Sequence, residues 1–154
     1  MDRLTELSIK QECLDLVTRY AMAVNSWDLD AYLAVWAPDA VWQRPESAAM
    51  HGHAEILAYM ESQPRDRVLR HVNGASWAEV IDDDHARGWS QTVVYDTVGS
   101  TEVPGRMELP TMVVEYVDKY ERRGGEWLIS RRDTTWVFLS DADTVSRATR
   151  AAND

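Results

Sequence analysis

The stretch LRHVNGASWAEVIDDDHARGWSQTVVYD, residues 69–96, decides the fold. Upstream of Pro64 the apolar residues recur at helical spacing. From Leu69 onward they alternate, and a period of two is the mark of a strand with one face on a core. Leu69–Ile81 and Ala86–Asp96 are the first two strand candidates, joined by the turn Asp82-Asp83-Asp84-His85. Two more follow, Pro110–Arg122 and Glu126–Phe138, and Gly124-Gly125 between them is a tight hairpin signal. Residues 98–109 hold Gly99, Pro104 and Gly105 and read as a longer loop.

Working back toward the N-terminus, three helices are expected. Ser8 and Gln11 have capping-box spacing, and Ile9, Cys13, Leu16, Val17, Tyr20 and Val24 then form one apolar stripe. This helix is expected to run from about Ser8 to Asn25-Ser26. A shorter helix capped by Asp28 or Asp30 carries Leu33, Val35 and Trp36 and ends at Pro38. Val41–Arg44 reads as a short strand. Gly52–Ser62 is the third helix, with Pro64 as its stop. Helices followed by antiparallel hairpins make an α+β fold: three N-terminal helices on a strongly curved antiparallel sheet, with a pocket between them. Residues 1–139 are expected to form a single domain, and 140–154 a polar tail.

The bulk chemistry narrows the function. A formal charge of −10 argues against nucleic acid, which requires a positive face, and against an anionic membrane surface. The single cysteine, Cys13, falls on the apolar stripe and reads as a buried spectator. Met1–Leu7 is polar and no apolar run approaches a membrane span, so a cytoplasmic protein is expected. No phosphate loop, nucleophile elbow or zinc motif is present, and His51-Gly52-His53 is a weak metal signal without a third ligand in register. No cofactor and no metal are expected; the partner is a small molecule. Seven tryptophans suit either a core or a pocket for a flat apolar ligand.

Three segments carry a resemblance that covers roughly Ser8–Phe138: LVTRYAMAVNSWDLDAYLAVWAPDAVW (16–42), RHVNGASWAEVIDDDHARGWS (70–90) and YVDKYERRGGEWLISRR (116–132). In order and spacing they resemble the SnoaL-like group of the nuclear transport factor 2-like superfamily. They are most similar to the branch with scytalone dehydratase, bile-acid dehydratase and lindane dehydrochlorinase. The resemblance implies a cone-shaped α+β barrel and cofactor-independent elimination of water or halide. It places His71 as the base and Asn25 where relatives have an aspartate that orients the histidine. Tyr20 matches a catalytic tyrosine or lysine, and Arg132 a pocket arginine. Relatives also include isomerases, cyclases, epoxide hydrolases and non-catalytic binders, so a fold of this kind does not fix the function.

Each residue type has a physical reason. A neutral imidazole accepts protons near neutral pH. An amide at Asn25 can fix the His71 tautomer without neutralising an imidazolium, so His71 is expected to be a weaker base than in an aspartate dyad. Asp28, Asp30, Asp96 or Glu115 are the carboxylates that can supply the missing charge. The Tyr20 phenol can donate to a leaving oxygen or an oxyanion. Arg132 alternates with Ser130, Thr134 and Trp136 and can bind a carboxylate, phenolate or carbonyl if that face looks inward. Asn73 shares the face of His71 as a further polar contact, and Trp42 and Trp136 are aromatic wall candidates.

The expected function is a lyase, dehydratase or isomerase acting on a small apolar, cyclic or aromatic substrate. The alternatives are a non-catalytic binding or assembly subunit, like the small subunit of aromatic-ring dioxygenases, and a polyketide cyclase. A homo-oligomer is expected, trimer ahead of dimer.

Overall fold

The first helix, α1, spans Arg3–Ser26. It starts five residues before the expected Ser8, because Asp2 is the better cap: its carboxylate accepts from the backbone N–H groups of Leu4 and Thr5 at 2.9 and 3.1 Å. Ser8 lies inside the helix and bonds Glu12. The structure is a computed structural model that describes residues 1–97, 99–105 and 111–140. The expected polar tail lies outside the described residues apart from Ser140, as does part of the 98–109 loop.

Trp27 stops α1 in the left-handed region, at φ 58° and ψ 31°, with its N–H on the carbonyls of Ala23 and Val24. Asn25 therefore stays inside the last turn. Asp28 caps α2, Leu29–Leu33, through the Ala31 N–H. This helix is shorter than expected: Trp36 and Pro38 belong to strand β1, Trp36–Gln43. The pairing register of β1 shifts between Trp36 and Val41. An irregularity of that kind is where a strand tolerates a proline. A two-residue strand, β2 (Met50–His51), was not anticipated; α3 spans Gly52–Ser62 as expected.

The remaining strands follow the alternation closely: β3 Leu69–Val80, β4 His85–Asp96, β5 Met112–Arg123 and β6 Glu126–Leu139. Gly124 and Gly125 both take positive φ, 62° and 92°, which the tight β5–β6 turn requires. The six strands form one curved sheet in the order β2-β1-β6-β5-β4-β3. It is not wholly antiparallel: β1 runs parallel to β6. That pairing is reached by a long crossover from one strand to the other, which hairpin signals do not announce.

Helix α1 packs on β3, β4 and β6, and α3 packs on β1. The core between them holds Leu16, Tyr32, Trp36, Ile56, Tyr120 and Ile129, all essentially without exposure. Each such side chain contributes about 1.5–3 kcal/mol by leaving water. Cys13 is buried among them, and burial pushes its thiol up to about 12, as expected of a spectator. No helix among the described residues is long and apolar enough to cross a membrane.

Candidate active site

Asn25 and His71 meet at the end of α1. The Asn25 side-chain oxygen lies 2.8 Å from the His71 backbone nitrogen and 2.9 Å from His71 Nδ1. A backbone N–H can only donate, so the amide atom facing it is the oxygen. Nδ1 must then carry the ring proton and donate to the same oxygen. The lone pair is left on Nε2, which has no protein partner among the described residues. Burial, and then the charges of Arg67 and Arg132, push the imidazole down to about 4. His71 is therefore neutral at pH 7 and weakly basic.

His71 lines a cleft with an interior of about 90 Å³ that opens to solvent. Its wall is aromatic: Tyr20, Tyr32, Trp42, Tyr59, Tyr116 and Trp136 all face it. Tyr20 stands edge-on to His71 with ring centroids 6.1 Å apart. Neither Tyr20 nor Tyr116 has a hydroxyl hydrogen bond among the described residues. Burial raises both phenols, so each stays protonated as a donor. Trp42 Nε1 donates to Thr134 Oγ1 at 2.9 Å, which fixes its ring in the wall.

Two expected site residues lie elsewhere. Arg132 is fully buried and not on the cleft wall. Its Nε and Nη2 donate to the two Asp118 oxygens at 2.8 and 2.7 Å, a bidentate pair. Its guanidinium lies 4.4 Å from the Tyr20 ring centroid and 4.2 Å from that of Tyr116. It backs the two phenols, and its Nη1 is buried with no partner among the described residues. A shift in the β5–β6 register, from Tyr120↔Ile129 to Lys119↔Arg131, is what turns Arg132 inward onto Asp118. Ser130 is the extra residue of this bulge, so Ile129 and Arg132 both turn inward. Ser130 does not share the Arg132 face; its hydroxyl bonds Lys119 O. Arg131 points outward and pairs with Asp133.

Asn73 is the second correction. Its amide donates to Val17 O at 3.4 Å and accepts from Thr92 Oγ1 at 3.0 Å, tying β3 to α1 and β4. It is absent from the cleft wall. The sheet register shifts just beyond it, between Asn73 and Ser76.

The cleft also contains two arginines that sequence reading did not place, and one of the four carboxylates it named. Arg67 Nη1 and Asp96 Oδ2 form a pair at 2.9 Å, with both side chains more than nine-tenths buried. Asp96 Oδ1 and Arg67 Nε are buried without a partner among the described residues. Burial raises the Asp96 carboxyl despite Arg67. Leu69 pairs with Asp96 and His71 with Val94, so His71 and Asp96 are diagonal neighbours, a spacing of about 7–8 Å. Of the four carboxylates considered, Asp96 alone lines the cleft; Asp28 and Asp30 are exposed on α2, and Glu115 is on the outer face. Arg44 is the other cation on the wall. His53 Nε2 lies 3.0 Å from Trp36 O, a structural contact within the pair once weighed as metal ligands.

A model of the SnoaL-like domain matches residues 5–133. The chain belongs to the SnoaL-like family. No curated protein sequence matches it. Among solved structures, the SnoaL-like protein is similar to Rv3472, a protein of unknown function from Mycobacterium tuberculosis. The TM-score is 0.76 at 22% identity, over 93% of this chain and 88% of that one. It is also similar to hexachlorocyclohexane dehydrochlorinase LinA-type3 from Novosphingobium barchaimii LL02 (TM-score 0.76, 19% identity, 93% and 96% covered). A third is ActVI-ORFA from Streptomyces coelicolor (TM-score 0.70, 20% identity, 82% and 96% covered). At these identities the likeness is one of fold, and the chemistry rests on the residues in the cleft.

Proposed function

We propose that this SnoaL-like protein is a cofactor-independent lyase or isomerase that uses His71 as its base on a small, largely apolar, cyclic or aromatic substrate. The observation that carries this reading is the Asn25 oxygen on His71 Nδ1, which leaves the Nε2 lone pair in an aromatic cleft. In an elimination, Nε2 takes a proton from a substrate carbon and the C–H electrons become the new double bond. The bond to the leaving group breaks with its electron pair. Tyr20 and Tyr116 donate to the oxygen on which negative charge develops. A hydroxyl must gain a proton to leave as water, and Asp96 is the candidate acid for it. A base as weak as His71 suits a proton already acidified by an adjacent carbonyl.

The test is turnover of cyclic β-hydroxy ketones and halogenated ring compounds by the wild type, His71→Ala and Tyr20→Phe. Loss of about 100-fold or more in His71→Ala is expected. Full turnover by both variants sinks the assignment.

A second reading, a non-catalytic binding or assembly subunit, is favoured by one residue: Asn25 cannot neutralise an imidazolium as an aspartate does. Ligand binding without turnover across the panel would support it. The outward sheet face carries exposed Val72, Trp77, Val117, Val137 and Phe138. This apolar face supports a homo-oligomer, with the family resemblance favouring a trimer over a dimer. A monomeric mass by light scattering removes that claim.

A further inference from the structure

Two guanidinium groups line the cleft, and they differ in what balances them. Arg67 has Asp96. Arg44 makes no ion pair among the described residues. It lies on rings instead: its central carbon is 4.2 Å from the Tyr59 centroid and 5.5 Å from that of Trp42. Cation–π contact holds a guanidinium by its flat face and leaves its N–H edge for another partner. Such an edge is a planar fork that matches a carboxylate with two parallel hydrogen bonds. With His71 neutral, the cleft carries one uncompensated positive charge when Asp96 is ionised and two when it is protonated, inside a chain whose net charge is −10. The charge reaches the cleft's phenols: Arg44 opposes the burial that raises Tyr32, Tyr59 and Tyr116, at Tyr59 also through a side-chain hydrogen bond that leaves the rest of the fork for a ligand.

We propose that Arg44 is the anchor for a carboxylate on the substrate, so that the ligand class is an apolar ring acid. The carboxylate lies on the Arg44 fork and the ring among Trp42, Tyr59 and Trp136, with its far side toward His71. This role was first assigned to Arg132, which Asp118 already occupies. The inference takes from the proposed function only that this cleft is the ligand site; it does not require that His71 reacts.

The test uses 2-naphthoate and its neutral isostere naphthalene-2-carboxamide, with binding followed by calorimetry and tryptophan fluorescence at pH 7. Wild type is expected to bind naphthoate about tenfold or more tightly than the amide, a preference that weakens with salt. Arg44→Met keeps an apolar stem and is expected to abolish the preference; Arg44→Lys keeps the charge without the fork and retains part of it. Equal binding of both probes by wild type, an unchanged ratio in Arg44→Met, or no binding of either probe overturns the proposal. If Arg44→Met fails to fold, the Arg44→Lys ratio and the wild-type salt dependence decide. His71→Ala separates the two proposals. A naphthoate preference that survives there shows that Arg44 acts without His71; the same preference in a wild type without turnover on any panel substrate leaves Arg44 standing and removes the acid–base reading. Turnover with no naphthoate preference does the reverse.

Discussion

One oxygen, Asn25 Oδ1, accepts from both the backbone N–H and the ring Nδ1–H of His71, at 2.8 and 2.9 Å. The double contact fixes the start of β3 against the end of α1 and sets the tautomer together. It supplies orientation without charge. That separates two functions that a carboxylate performs at once, and it explains how His71 is aimed into the cleft while remaining a weak base.

The low His71 value has a consequence for stability. The folded imidazole titrates at about 4 and the unfolded one near 6.5. Between those values the unfolded state binds more protons, so the contribution is intact above pH 6.5 and is lost as pH falls toward 4. The loss amounts to about 3–4 kcal/mol at most. Asp96 works in the opposite sense. Its carboxyl is raised, so its contribution is present at low pH and fades as pH rises through its folded value. Denaturant unfolding of wild type and His71→Gln between pH 4 and 7 checks this; the variant's curve is expected to be flatter. Parallel curves contradict it.

Tyr20 is predicted to act on the transition state more than on binding. Its hydroxyl has no acceptor among the described residues, and removing it leaves the ring stack on Trp36, Trp42 and His71 in place. Tyr20→Phe is expected to lower kcat about 10- to 100-fold with little change in KM, somewhat less than the loss of an oxyanion-hole donor. A rise in KM at constant kcat would assign Tyr20 to binding alone.

Asp96 separates leaving groups. A halide departs as an anion, whereas a hydroxyl needs a proton. Asp96→Asn is expected to slow dehydration by about 100-fold, the scale of general acid catalysis, while leaving dehydrohalogenation nearly unchanged. Equal losses for the two classes would make Asp96 a structural partner of Arg67 only.

The Arg132–Asp118 pair is predicted to be structural. Arg132→Met leaves Asp118 buried and unpaired, and is expected to cost about 3–5 kcal/mol. Adding Asp118→Leu is expected to recover most of that, because a buried ion pair replaced by apolar groups is often near neutral. A double-mutant cycle by urea denaturation measures it. Additive losses would show that the two side chains do not depend on each other.

The strands and α3 were legible because each is governed by a local pattern: alternation from Leu69 onward, and a helix bounded by Gly52 and Pro64. The Asn25–His71 pair was legible only through family resemblance, since the two residues lie 46 positions apart. Arg132 faces inward and Arg131 outward, as the sequence reading allowed, but the partner of Arg132 was not legible for a definable reason. The tip pairing Arg123↔Glu126, continued without interruption, would put Asp118 opposite Arg131. The bulge at Ser130 moves the partner to Arg132. No local spacing signals a bulge. Arg44, and Arg67 as the partner of Asp96, were missed for a related reason. They sit at or just beyond strand ends, where a charged residue ordinarily reads as solvated, and only the curved sheet brings them to one wall.

The most direct test is NMR titration of His71, with ring-nitrogen shifts to report the tautomer, in wild type and in Asn25→Asp. Wild type is predicted to carry its proton on Nδ1 and to titrate well below 6.5, near 4. Asn25→Asp is predicted to raise that value by about one unit or more, each unit being about 1.4 kcal/mol of differential stabilisation. An ordinary wild-type value, an Nε2–H tautomer, or no response to Asn25→Asp would contradict the contact on which the site is built.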